Sequence, residues 1–163
     1  MADLPLSVQV SSLQSIIPLR FAILRPNEAD TSSCDYAGDR DPSAVHLRLM
    51  RAGSAIGMAS ILPDFRGFSD RVAAVARVRG LGVLPGHQGT GLGRILLKRT
   101  LEIAAERELL PLWGSGRSHL GDFYHSVGAD TISDPYVISG TGDHLDFYLR
   151  AYRPESSRRG NDA

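Results

Sequence analysis

Four of the eight residues from Gly86 to Gly93 are glycine, in the run Val83-Leu84-Pro85-Gly86-His87-Gln88-Gly89-Thr90-Gly91-Leu92-Gly93-Arg94. The run lies where an extended pattern, Val72 to Leu84, gives way to a helical one ending near Glu108. In that helix Leu92, Ile95, Leu96, Arg99 and Ile103 share a face and are read as core, while Lys98, Glu102 and Glu106 lie largely outside it. Strand, glycine loop, helix is the order that builds an anion cradle. Glycine lets the backbone turn with its N–H groups uncovered, and the helix N-terminus adds the positive end of its dipole. Arg94, in the first helical turn, adds a charge suited to a phosphate.

The spacing decides which phosphate loop this is. A Walker A loop needs lysine where Leu92 stands. The dinucleotide fingerprint G-x-G-x-x-G is one residue too long for Gly89-x-Gly91-x-Gly93. Gln88-x-x-Gly91-x-Gly93 between a strand and a long helix is the pattern that remains.

At 163 residues the chain suits a single domain, expected at 16–152 after an N-terminal extension at 1–15 and before a polar, frayed tail at 153–163. Eighteen basic and eighteen acidic side chains cancel, which argues against nucleic acid as partner. Cys34 alone forms neither a disulfide framework nor a multi-thiolate zinc site. No apolar run approaches a membrane span, and the first residues lack a signal peptide's basic start, so a cytoplasmic protein is expected.

The remaining pattern reads as follows. Ile16 to Leu24 is expected as a first strand, closed by Arg25-Pro26. Residues 27–43 form a loop or broken helix. Val45–Met50 and Ala55–Leu62 make a hairpin around Ala52-Gly53-Ser54, and Pro63 to Asp70 is a turn region. Leu109–Trp113 is a short strand, His119–Val127 a small helix capped by Gly128, and Thr131–Ile138 and Leu145–Tyr152 the last strands. The order is that of a mixed α/β or α+β sheet.

The loop pattern resembles the coenzyme-A loop of the GNAT acyltransferase superfamily, Q/R-x-x-G-x-G/A. Val83-Leu84-Pro85 is similar to the family's V-x-P lead-in, and Asp122-Phe123-Tyr124-His125-Ser126-Val127-Gly128-Ala129 to its later x-F-Y-x-x-x-G-F segment. Arg25-Pro26, Gly38-Asp39-Arg40-Asp41-Pro42 and Ile138–His144 are similar to a poorly characterised bacterial branch. The resemblance implies a mixed, mostly antiparallel sheet of six to seven strands with helices on both faces. Its fourth and fifth strands splay, with pantetheine between Gly80–Val83 and Trp113–Gly116. It implies acetyl-CoA as co-substrate, without metal. Leu81, Val83, Gln88, Gly89, Thr90, Gly91, Leu92, Gly93, Arg94 and Ser115 would be the cofactor residues. The Val83 N–H would meet the thioester carbonyl, and Tyr124 would be the general acid.

Three departures stand out. Many relatives carry a glutamate base on the fourth strand, but Ala76-Arg77-Val78-Arg79-Gly80-Leu81-Gly82-Val83 has no acid. His144, Asp146 and His46 are the alternatives, His144 taken as the candidate base because imidazole titrates near neutrality. Ser115 replaces an asparagine, and Ala129 an aromatic. Arg77 and Arg79, on one strand face, either pair with acids or bind an acidic substrate. The expected function is N-acetyl transfer to a primary amine of a small molecule or peptide. An acyl-CoA sensor or inactive module is the alternative, and a plain nucleotide-binding loop a third. A homodimer remains open.

Overall fold

The computed structural model describes residues 5–69 and 72–151. The tail expected at 153–163, and Tyr152 itself, lie outside them. Among the described residues are eight strands: β1 (Leu6–Ser11), β2 (Val45–Arg51), β3 (Ser54–Ser69), β4 (Val72–Val83), β5 (Leu112–Arg117), β6 (Asp130–Thr131), β7 (Tyr136–Ile138) and β8 (Gly142–Leu149). The helices are α1 (Leu13–Leu24), α2 (Leu92–Glu106) and α3 (Gly121–Ser126). Hydrogen-bonded neighbours run β1-β2-β3-β4-β5-β8-β6, with β7 also on β8. β4–β5 is parallel and its ladder holds two pairs, Ala76↔Leu112 and Arg77↔Trp113. The β1–β2, β2–β3, β5–β8, β6–β8 and β7–β8 ladders are antiparallel.

By contacts the chain divides into Met1–Pro63 with Val78–Thr100, and Asp64–Arg77 with Leu101–Ala163. In the first unit, the expected strand at 16–24 is instead α1. The side chain of Ser12 caps it, accepting from the Ser15 N–H at 3.3 Å. Ile16, Leu19 and Arg20 are buried and Ile23 packs beside them, a 3.6-residue period that a short apolar run conceals. Pro18 lies inside the helix on an exposed position and removes one intrahelical bond. α1 packs closely on β4: a Cβ on Gly82 would lie 2.8 Å from Ile23 Cγ2. The β2–β3 hairpin forms as expected, with positive φ at Ala52 and Gly53 matching a two-residue turn of the primed type. A core cluster gathers Leu49, Ile56, Ala59, Val83, Leu92 and Leu96.

β3 continues through Pro63 to Ser69, where a turn was expected. A proline fixes φ in the extended range and costs a strand only its N–H. In the second unit β5 starts later than expected, at Leu112, and the predicted 131–138 strand is broken into β6 and β7. Ala74, Trp113 and Tyr148 form its core cluster. The strand count exceeds the expected six to seven because β1 and this split add strands. On α2, Ile95 is exposed, whereas Leu92, Leu96, Leu97, Leu101, Ile103 and Ala104 are buried. The core face is therefore rotated from the one predicted.

Candidate functional site

In the first unit, residues 84–91 link β4 to α2. The Leu84 N–H donates to Ile56 O at 2.8 Å and pins the loop's start to β3. The Gln88 amide donates to Val83 O at 3.0 Å, and the Thr90 hydroxyl to His87 O at 2.8 Å. Gly86, Gly89 and Gly91 have φ of +88°, +75° and +82°. A Cβ at any of them would meet nothing within 4 Å. Their conformation, not crowding, is what demands glycine, and the face they leave is open. α2 then starts with Ile95 N–H donating to Gly91 O. Leu92 is buried and anchors the helix start in the core, while Gly93 and Arg94 are half-buried in its first turn. Uncovered backbone at a helix N-terminus fits a phosphate-bearing ligand. Leu81 and Val83 pack with the cluster under this loop. Gly80, φ +65°, interrupts the pleat of β4 just before them.

In the second unit, Tyr124 lies on α3. Its ring stacks on Phe147 at 4.3 Å between centroids and meets the edge of Phe123 at 5.2 Å. Gly116 of β5 underlies it so closely that a Cβ there would sit 2.7 Å from Tyr124 Cε2 and 3.2 Å from its Oη. Burial pushes the phenol's pKa up, so it carries its proton at neutral pH.

Ser115 and Asp146 face each other across β5 and β8, and the Ser115 hydroxyl donates to Asp146 Oδ1 at 2.7 Å. Arg66 and the Tyr136 hydroxyl also donate to Asp146. Arg77 Nη2 donates to Ser115 Oγ at 3.3 Å. Burial pushes the Asp146 carboxyl up, but these three donors outweigh it and hold it below the ordinary carboxylate value. Burial and the Asp146 bond push the Tyr136 phenol up. Arg66 and Arg77 both lie over the Trp113 ring, at 4.6 and 4.3 Å. His144 is half-buried, its ring 6.1 Å between centroids from that of Tyr136. Its Nδ1 lies 2.8 Å from Gly142 O. A carbonyl only accepts, so Nδ1 carries the hydrogen and Nε2 is the nitrogen left to accept one.

His46, in the first unit, is buried in a relay. Arg20 makes two bonds to the Asp39 carboxylate, at 2.6 and 2.8 Å, and a third to Ser60 Oγ at 2.8 Å. Ser60 Oγ lies 2.8 Å from His46 Nδ1, and His46 Nε2 lies 3.0 Å from Asp39 O. The carbonyl requires Nε2–H, and Nδ1 is taken by the Ser60 hydroxyl. Both ring nitrogens are thus committed, which removes His46 from the bases. Burial raises the Asp39 carboxyl, but bonds from Arg20 and the Tyr36 N–H carry it below its ordinary value.

The sequence profile of the acetyltransferase (GNAT) family matches residues 11–124. The chain belongs to the GNAT acetyltransferase family. It is 28% identical over 143 residues to the uncharacterized N-acetyltransferase YitI of Bacillus subtilis strain 168, covering 88% of this chain and 95% of that protein. Its fold matches that of Escherichia coli ElaA, with a TM-score of 0.70 at 18% identity over 90% of this chain and 99% of that one. It also matches a GNAT family acetyltransferase from Elizabethkingia anophelis with acetyl-CoA bound, TM-score 0.65, 15% identity, covering 89% and 97%.

Arg66 and Tyr136 were not among the sequence candidates. They reach Asp146 across 80 and 10 residues of chain, and no local pattern marks either. No helix among the described residues is long and apolar enough to cross a membrane. No three His, Cys, Asp or Glu side chains among them gather in a metal-binding arrangement.

Proposed function

We propose that this protein moves an acetyl group from acetyl-CoA to a primary amine of a small molecule or peptide. The Leu84–Gly91 loop carries this reading: three open, left-handed glycines opposite no side chain, closed by a helix N-terminus. Acetyl-CoA, when bound, supplies an activated thioester. The N–H groups of Gly89, Thr90, Gly91, Leu92 and Gly93, with the Arg94 guanidinium, would hold its pyrophosphate. Gln88 braces that loop through Val83 O. Leu81 and Val83 are assigned to the pantetheine arm through their backbone, the Val83 N–H donating to the thioester oxygen. Ser115 is assigned to the same arm. Its hydroxyl is already committed to Asp146 and Arg77, so it contributes by its main chain.

His144 Nε2 takes the ammonium proton, and the Tyr124 hydroxyl gives its own to the departing thiolate sulfur. A phenol held protonated by burial suits the second task. Asp146 does not serve as base, because its lone pairs are engaged by Arg66, Ser115 and Tyr136. The acid-free β4 keeps a binding-only reading in play, an acyl-CoA sensor of the same fold.

Calorimetric titration with acetyl-CoA, against ADP and desulfo-CoA at fixed salt, tests the proposal. Micromolar acetyl-CoA binding with ADP much weaker is expected. Gly91→Glu places bulk and negative charge in the cradle and should abolish it. Equal binding of ADP, or unchanged affinity in the variant, would end the loop assignment. Turnover on an amine panel then separates the enzyme from the sensor.

A further inference from the structure

Arg79 differs from the other cation of its strand. Arg77 has Ser115 and Asp64 within reach. Arg79 is half-buried, and among the described residues its guanidinium has neither a carboxylate nor a hydrogen-bond partner. It stacks on the face of Tyr36, 3.9 Å from the ring centroid. Arg20 stacks on the same ring at 4.0 Å, but Asp39 neutralises it. Arg20, Arg79 and Asp39 therefore leave one uncompensated positive charge beside Tyr36. The Arg20 Nε, buried, also lacks an acceptor. It faces Gly80, where a Cβ would lie 3.6 Å from it and 3.4 Å from the Tyr36 ring. A guanidinium taken partly out of water with no anion opposite is costly, and aromatic stacking offsets only part of that cost. An anionic ligand would complete it.

We propose that Arg79 is the carboxylate receptor of the acceptor site, so that the amine acetylated belongs to an amino acid or another small amine bearing a carboxylate. The inference rests on the acetyl-transfer reading above for the word acceptor, though not for the anion site. The coenzyme's pyrophosphate is not the anion meant. Gly86, where its loop opens, is seven residues further on and lies past the end of β4 at Val83, in the Leu84–His87 turn. Val83, assigned to the thioester, is only four residues on, at most about 13 Å. An arginine side chain and a small amino acid bridge that span together.

The test compares L-amino acids with their amides as acceptors in initial-rate acetylation, for wild type, Arg79→Gln and Arg79→Lys, each first checked by thermal melting. Wild type should favour the carboxylate over its amide. Arg79→Gln should raise KM for the carboxylate acceptors about ten- to a hundredfold, and leave KM for the amides and the acetyl-CoA affinity unchanged. Arg79→Lys, which keeps charge but loses the planar fork, should fall between. Equal use of acid and amide by wild type, or equal loss of both in Arg79→Gln, overturns the proposal. If no acceptor turns over, calorimetric titration of N-acetyl amino acids against N-acetyl amino amides decides it. A carboxylate preference lost in Arg79→Gln supports the site, and no preference overturns it. Failure of acetyl-CoA to bind refutes the transferase reading and leaves that titration still decisive for Arg79.

Discussion

Gly116→Ala is the sharpest probe of Tyr124. The added methyl would sit 2.7 Å from Tyr124 Cε2, 3.1 Å from Cζ and 3.2 Å from Oη. Ordinary carbon contacts start near about 3.5 Å, so the ring must move by nearly ~1 Å or the strand must yield. The ring has little freedom to do so, being stacked on Phe147 at 4.3 Å and flanked by Phe123. Overpacking of this kind costs about 1–3 kcal/mol. For a chain of this size each kcal/mol lowers Tm by about 2–4 °C. A proton donor displaced by ~1 Å loses on the order of a hundredfold in rate. The assay is kcat and the acetyl-CoA affinity, measured beside Tm, for wild type, Gly116→Ala, Tyr124→Phe and the double variant. If Tyr124 is the acid, Gly116→Ala and Tyr124→Phe each lower kcat with little change in coenzyme affinity. In the Tyr124→Phe background, Gly116→Ala should then cost stability but no further rate, because the hydroxyl it misplaces is gone. Additive losses in kcat, or full activity in Tyr124→Phe, would return Tyr124 to a packing role.

Two further outcomes follow from the polar networks. Asp39→Asn leaves Arg20 buried without its counter-charge and should cost about 3–5 kcal/mol in urea unfolding. Asp39 has a folded pKa below its unfolded value, about 3.9, so its contribution is full above that value and is lost as pH falls through the lower folded one. The variant should therefore show a flatter loss of stability on acidification; an unchanged slope would refute the pairing. His144→Ala should flatten the acidic limb of the pH–rate profile, and an unchanged profile would remove His144 as base.

The parts of the fold legible in the sequence are those fixed by local chemistry. The glycine loop announced itself because three residues must adopt φ values that glycine alone takes without strain. The β2–β3 hairpin did so because Ala52-Gly53 suits its turn. The residues 16–24 did not: a short, mostly apolar stretch fits strand and helix alike, and packing of Ile23 on Gly82 with Ser12 at the cap decided for helix. The rotated face of α2 and the passage of β3 through Pro63 were likewise settled by neighbours.

The candidate site divides the same way. Gln88, Gly89, Gly91 and Tyr124 stand in recognisable local strings, whereas the state of each ionisable group depends on partners distant in sequence. Asp146 became an unsuitable base only when Arg66, 80 residues away, and Ser115, 31 away, closed on it. His46 lost its candidacy to Ser60, 14 residues away. Arg77 and Arg79 look alike as letters, and only the folded chain gives one of them Ser115 and the other the bare face of Tyr36. Backbone conformation is written into neighbouring residues, but charge is set by what the fold brings within a few ångströms.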